Sequence, residues 1–184
     1  EHGCIYCFAR PTHEYLGLSA GLDFETKIFA KPDAPKFLEA KLQSKNWEPR
    51  TIVMSGVTDP YQPLEKKLEI TRACLEVLAD FLNPVSFITK NALVTRDIDL
   101  LQRLAEHNAV SVNMSLTTLD RHLCRVMEPR ASTPALRLKA IEMLSNAGIP
   151  VNVMMGPIVP GLTEHEIANI LESAANAGAK SASY

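Results

Sequence analysis

Strand signals and helix signals alternate along this chain without a break, and that alternation limits the possible folds more than any other feature. Thr51 to Ser55 (TIVMS) is a compact β-branched and apolar run that predicts a buried strand. Leu64 to Leu82 follows, with apolar residues at Leu64, Leu68, Leu75, Leu78 and Leu82 predicting one long amphipathic helix that ends at Asn83-Pro84. Val85 to Thr89 (VSFIT) is the next strand, and Thr95 to His107 the next helix, with Thr95 as its N-cap. Val110 to Leu116 is a strand, followed by a polar loop and a helix from Pro134 to Asn146 that Gly148 is placed to stop. Pro150 to Met155 is a strand, Thr163 to Ala177 a helix, and Ala179 to Tyr184 a further strand. Upstream, residues 1–22 read as an irregular loop, Asp23 to Lys31 as a short strand or hairpin arm, and Ala34 to Ser44 as a helix.

Short apolar strands alternating with helices are the pattern of parallel β/α units, whose sheets are covered by helices. Two α/β architectures remain: an open doubly wound sheet, or a parallel (β/α) barrel. A complete barrel takes roughly 250 residues, so 184 residues holding about six units would make a partial one. No linker, repeat or low-complexity stretch divides the chain, and residues 1–184 read as one domain.

Composition narrows the function classes. With 46% hydrophobic and 22% charged residues the chain is neither disordered nor fibrous. No apolar run approaches the roughly 20 residues of a membrane span, and no signal-peptide pattern opens the chain, so no membrane partner and a cytoplasmic location are expected. Nineteen Lys and Arg against 21 Asp and Glu leave a net charge of −2, which argues against a broad nucleic-acid footprint. The four cysteines, Cys4, Cys7, Cys74 and Cys124, point to metal or redox chemistry rather than a disulfide framework.

Ligand chemistry in either architecture gathers at the C-terminal ends of the strands. Those ends carry Ser55-Gly56-Val57-Thr58-Asp59, Thr89-Lys90-Asn91, Ser115 onward, and Gly156 to Glu164. The other reactive segment is Cys4-Ile5-Tyr6-Cys7, which admits three readings. A zinc site needs two further ligands; Cys74 and Cys124 sit singly among apolar residues, and His2 and His13 lack finger spacing. A thioredoxin-like dithiol belongs between a strand and a helix, whereas Pro11, His13 and Gly17 follow here. An iron–sulfur cluster suits closely spaced cysteines on a loop.

Cys4-x-Tyr6-Cys7 followed by Phe8-Ala9-Arg10 resembles the last part of CxxxCxΦC, the cluster motif of radical S-adenosylmethionine enzymes. The resemblance covers nearly the whole chain and is greatest to an uncharacterised bacterial group related to spore photoproduct lyase. It implies a [4Fe–4S] cluster held by Cys4, Cys7 and a third cysteine one position before Glu1, so that the chain is expected to be a fragment truncated at both ends and inactive alone. It further implies S-adenosylmethionine, an external electron donor, and reductive cleavage to a 5′-deoxyadenosyl radical that abstracts a substrate hydrogen. Tyr6, Ser55, Gly56, Thr58 and Asp59 are then expected at the cofactor. Lys90 and Ser111 match a lysine and a serine that touch it in the lyase branch. Strand alternation puts Ser111, Asn113 and Ser115 on one face. Arg130 or Arg137 is a candidate cation for the methionine carboxylate. Val159, in Pro157-x-Val159-x-Gly161-x-x-Glu164, resembles the family's adenine-lining GxIxGxxE, with departures at the first glycine and the isoleucine. The lyase carries a hydrogen-donating cysteine where this chain has Gly56-Val57, so repair of the same lesion by the same route is not expected. Lyase kinship leaves a nucleic-acid substrate open. The alternatives are a non-catalytic nucleic-acid-associated module and a zinc-binding β/α protein.

Residues with ordinary roles are expected too. Cys74 and Cys124 read as core residues, Glu128 and Arg130 as a surface ion pair, and Glu164 as a cap on the last helix.

Overall fold

The computed structural model describes all of residues 1–184. Five strands, β1 (Ile52–Met54), β2 (Val85–Thr89), β3 (Val110–Ser115), β4 (Val151–Met154) and β5 (Ser181–Ser183), form one sheet in that order, and every neighbouring pair is parallel. The order decides between the two architectures. A doubly wound sheet reverses its strand order at a switch point, whereas here each crossover advances in the same sense. Right-handed crossovers that never reverse put all covering helices on one face and curve the sheet toward a barrel. The sheet is not closed: β1 and β5 are its edges.

Burial along the strands follows from this geometry. Val85, Phe87, Val110, Val112, Met114, Val151 and Val153 pack in one core with Leu75, Leu78, Leu101, Leu104, Ile141, Leu144 and Ile170 from the helices. The alternate residues, Ser86, Ile88, Ser111, Asn113, Asn152 and Met154, face the concave inner side and are half-buried. Polar members of that side bond to one another across the strands. Asn113 Nδ2 donates to Ser86 Oγ and to the Phe87 carbonyl, both at 3.1 Å. Asn152 Nδ2 donates to Asn113 Oδ1 (3.0 Å) and to Ser183 Oγ (2.9 Å), and the Ser181 hydroxyl donates to Asn152 Oδ1 (2.9 Å).

Several elements differ from the expectations. Asp23 to Lys31 contributes no strand; its first part lies in helix α1 (Leu22–Thr26), so five strands replace about six. One helical turn buries Phe24 beneath the Arg10 guanidinium, 5.3 Å from its ring, and turns Glu25 toward Arg10 and Arg130. After α2 (Ala34–Leu42), the single helix expected over Leu64 to Leu82 is two, α3 (Glu65–Leu68) and α4 (Ile70–Asp80), broken at Glu69 in the left-handed region (φ 52°). Glu65 causes the break by capping α4: its Oε1 accepts from the amides of Thr71 (3.1 Å) and Arg72 (3.3 Å).

Thr95 is not a helix cap. A 3-10 segment, Ala92–Asp97, begins at Asn91, whose side chain accepts from Leu93 N (3.0 Å), and α5 (Ile98–Ala105) follows. The loop expected after β3 contains α6 (Arg121–Met127), capped by Asp120 through the amides of His122 (2.6 Å) and Leu123 (3.0 Å). Helix α7 (Pro134–Asn146) runs as expected, with Gly148 just beyond it at φ 77°. A 3-10 turn, Glu164–Glu166, leads into α8 (Ile167–Asn176). No helix is long and apolar enough to cross a membrane.

Candidate active site

The inner-face residues that end the strands are Ser55, Lys90, Ser115 and, beyond β4, Gly156. The N-terminal segment folds across them and closes a cavity of about 540 Å³. Its walls hold Cys4, Tyr6 and Cys7 from that segment, Ser55, Gly56, Thr58 and Asp59 after β1, Lys90 and Ser115, and the apolar Val53, Ile88 and Met154. Gly56 lies at φ 136°, a conformation that side chains disfavour.

Backbone bonds dock the cysteine segment on the connection from α6 to α7. The Ile5 amide donates to the Met127 carbonyl, and the Arg130 amide to the His2 carbonyl, both at 3.0 Å. Arg10 braces the segment from the other side, donating to the carbonyls of Cys4 (3.0 Å) and Gly3 (3.1 Å) and to Glu25 (2.7 Å). Gly3 (φ 76°) leaves room for Arg130, whose Nη2 would lie 2.1 Å from a Cβ at that position.

Cys4 and Cys7 are joined by a turn in which the Cys7 amide donates to the Cys4 carbonyl (3.3 Å), and both side chains reach the same cavity. Burial pushes the Cys4 thiol up to about 11, against the pull of Lys90. A bound metal ion reverses that preference, because it stabilises the thiolate directly. Tyr6 lies between them with its ring centroid 5.7 Å from Lys90 Nζ. Its hydroxyl donates to Glu128 and lies 3.4 Å from Thr117 Oγ1. Burial and the Glu128 charge raise the Tyr6 phenol far above its ordinary value, so it stays a donor.

Glu128 and Arg137 depart from the expectations. Glu128 does not pair with Arg130 at the surface; it is 1% exposed and bonds Arg137, also 1% exposed. Arg137 donates further to the carbonyls of Ser132 (2.7 Å) and Ser115 (2.9 Å), and Thr117 donates to Glu128 (3.0 Å). With its guanidinium spent beneath the wall, Arg137 is not a cation facing the cavity. Arg130 is spent as well, on the Glu1 carbonyl (2.7 Å) and Glu25 (2.6 Å).

Ser111 and Asn113 lie deeper than expected. Ser111 is four residues before Ser115, about 13 Å down the strand at ~3.3 Å per residue, and the Asn113 amide is consumed by the inner-face network. Val159 is held in the loop after β4, its amide donating to Thr163 Oγ1 (2.8 Å), and is not in the cavity wall, although Pro157 is. Glu164 does not cap the last helix: its carboxylate turns back and accepts from the amides of Gly161 (2.6 Å) and Leu162 (3.0 Å) in the loop before it. Cys74 and Cys124 are buried away from the cavity.

Two groups in the wall await partners. The Ser115 hydroxyl is buried without a hydrogen bond, and the Lys90 ammonium, close to the Tyr6 ring, pairs with no carboxylate. Two thiols, a free ammonium and an orphaned hydroxyl around one partly apolar cavity fit an iron–sulfur cluster and a cofactor bearing a carboxylate. No group of three or more His, Cys, Asp or Glu side chains converges in a metal-binding arrangement. Nothing in the sequence marks His2, Arg10 or Glu128 as supports of this site. Arg10 is distinguished only by following the cysteine motif, and Glu128 sits between Met127 and Pro129 with nothing to mark it as buried.

Comparison with known proteins places the chain in a family. An uncharacterized protein of Mycobacterium tuberculosis is 37% identical over 181 residues, covering 97% of this chain and 53% of that protein. An uncharacterized protein of Methanocaldococcus jannaschii is 27% identical over 167 residues, covering 90% of this chain and 60% of that protein. The chain thus spans about half the length of the mycobacterial relative. Among solved structures, spore photoproduct lyase complexed with dinucleoside spore photoproduct shares the fold with a TM-score of 0.64 and 16% identity, over 97% of this chain and 50% of the lyase. A mutant of that lyase with bound AdoMet and the same dinucleoside has a TM-score of 0.61 and 18% identity, over 97% of this chain and 50% of that one. The family model described as the radical SAM superfamily matches residues 1–174, and the chain belongs to that superfamily.

Proposed function

We propose that residues 1–184 are the cofactor-binding core of a longer enzyme that cleaves S-adenosylmethionine reductively and uses the 5′-deoxyadenosyl radical to abstract hydrogen from a substrate. The observation that carries this reading is the sharing of one cavity by the Cys4 and Cys7 thiols, the unpaired Lys90 ammonium and the unpartnered Ser115 hydroxyl. In this reading Cys4 and Cys7 are two of three thiolate ligands to a [4Fe–4S] cluster, the third coming from outside these residues. Such a cluster would supply one electron, drawn from an external donor, for reductive cleavage of the sulfonium C–S bond to methionine and the 5′-deoxyadenosyl radical. Lys90 holds the methionine carboxylate by a charge-assisted bond. Ser55, Gly56 and Thr58 face the amino group, Ser115 offers a hydroxyl to the cofactor, and Val53, Ile88 and Met154 keep water from the reacting bond.

For the substrate we favour a nucleic-acid component in the cytoplasm. The support is by analogy: spore photoproduct lyase, which has this fold, is seen with a dinucleoside. No cysteine lies between Cys7 and Cys74, so the hydrogen returned to a product radical comes from a group other than a thiol on the β1 loop.

Anaerobic reconstitution of the full-length protein tests the reading. Iron and acid-labile sulfide in equal amounts, and 5′-deoxyadenosine formed on adding S-adenosylmethionine and a reductant, are expected. Zinc without sulfide would establish the zinc-binding alternative. An intact cluster that yields no 5′-deoxyadenosine would leave a non-catalytic module.

A further inference from the structure

Asp59 stands in the cavity wall, yet both of its oxygens are already engaged. Oδ2 accepts from the Lys90 amide (2.7 Å) and lies 3.0 Å from His2 Nε2, while Oδ1 accepts from the Tyr61 amide (2.8 Å). The other ring nitrogen of His2 faces the Arg130 carbonyl at 3.2 Å. The two side chains are 4% and 11% exposed for His2 and Asp59, so water does not substitute for these bonds. Asp59 is itself held firmly. Tyr61 is fully buried, its hydroxyl donates to Asp97 (3.1 Å), and its carbonyl accepts from Asn91 Nδ2 (2.8 Å).

One carboxylate therefore ties the cysteine segment, through His2, to the end of β2, where Lys90 stands. We propose that Asp59 is a positioning residue that acts through His2 to set where Cys4 sits relative to Lys90. The proposal rests on the reading of the cavity as a cluster and S-adenosylmethionine site, and goes beyond it by assigning Asp59 to the protein scaffold rather than to the cofactor.

The geometry makes the carboxylate irreplaceable by its amide. Both backbone partners of Asp59 are N–H donors, one on each oxygen, and His2 Nε2 shares Oδ2 with Lys90. A carboxylate offers only acceptors. An Asn of the same shape must turn its NH₂ either toward Lys90 and His2 or toward the Tyr61 amide, which sets donor against donor. The loss of one charge-assisted bond corresponds to roughly a ten- to hundredfold change in the local opening equilibrium.

The test uses the full-length protein and has two readouts. In the metal-free protein, Asp59→Asn and His2→Ala should each raise hydrogen exchange at the Ile5 and Cys7 amides by roughly ten- to a hundredfold. Amides of β3 and β4 should be unchanged, and the double variant should add little to either single one. In the reconstituted protein, Asp59→Asn should change the paramagnetic spectrum of the reduced cluster on adding S-adenosylmethionine and weaken its affinity. Unchanged exchange at Ile5 and Cys7 overturns the proposal. So does a uniform rise across the sheet with an unchanged cluster spectrum, since that is the pattern of a merely structural residue. Localised exchange in a protein that binds no cluster would instead uphold the Asp59 latch and refute the proposed function.

Discussion

Replacing Arg137 by Met removes a charge while keeping most of the side-chain volume, and it tests whether this arginine serves the scaffold or the cofactor. Arg137 is 1% exposed and Glu128 1%, and the guanidinium also satisfies the carbonyls of Ser132 and Ser115. Breaking a buried pair by deleting one partner costs about 3–5 kcal/mol, because the remaining charge is left uncompensated. With a urea dependence near the top of the ~1–3 kcal/mol/M range, the unfolding midpoint should fall by roughly 1–2 M. Changing Glu128 to Met as well should recover most of the loss. Acid supplies a second signature. Burial alone would raise the Glu128 carboxyl, but the charges of Arg137 and Lys90 and the bonds from Arg137 and Tyr6 bring it below its ordinary value. Its contribution to wild-type stability is thus complete above about pH 4.3 and is lost as pH falls through the lower native pKa. In Arg137→Met, burial dominates and the carboxyl takes up a proton more readily, so the gap between wild type and variant should narrow on acidification. A loss below about 1 kcal/mol at neutral pH, together with weakened S-adenosylmethionine binding, would refute the scaffold assignment and return Arg137 to the cofactor.

Three further outcomes are expected. Lys90→Met should weaken S-adenosylmethionine binding by the full-length protein roughly ten- to a hundredfold while leaving iron content unchanged, as read by calorimetry and metal analysis. Phe87→Ala, in a fully buried β2 residue whose ring centroid lies 5.7 Å from that of Tyr61, should cost about 3–5 kcal/mol in denaturant unfolding. Gly3→Ala combines a positive φ with a clash at Arg130 and should speed proteolysis within the first twenty or so residues, whereas Gly148→Ala, at φ 77° with open space around it, should lower global stability by about 1 kcal/mol without that local effect.

Much of the architecture was legible because buried parallel strands advertise themselves as apolar runs: VSFIT and VSVNMS were located to within a residue. That Cys4 and Cys7 face one cavity was legible because they lie three positions apart on a single loop. Elements settled by long-range side-chain contacts were not. DFETKIFAK reads as a short strand or hairpin arm, but Glu25 is reached by two arginines, one of them 105 positions away, and those bonds favour a helical turn. The break at Glu69 depends on Glu65 curling back onto the amides of α4, which no periodicity displays. Arg137 and Glu128 illustrate the same limit at the site. An arginine in the helix that follows β3 and its loop reads as a candidate anion-binding group, and only the fold shows that its anion is a glutamate nine residues earlier.

The asparagine and serine bonds on the inner face have a consequence for how this scaffold accommodates change. Asn113 and Asn152 lie below the cavity and spend their amides on each other and on neighbouring serines and backbone. They act as a spacer course beneath the reacting layer, fixing strand register, since a slip of one residue would turn both amides into the apolar helix-facing layer. Because the spacer is self-satisfied, residues one layer higher can be exchanged without reopening the foundation. The strand ends are thereby free to take on new chemistry while the sheet beneath them keeps its shape.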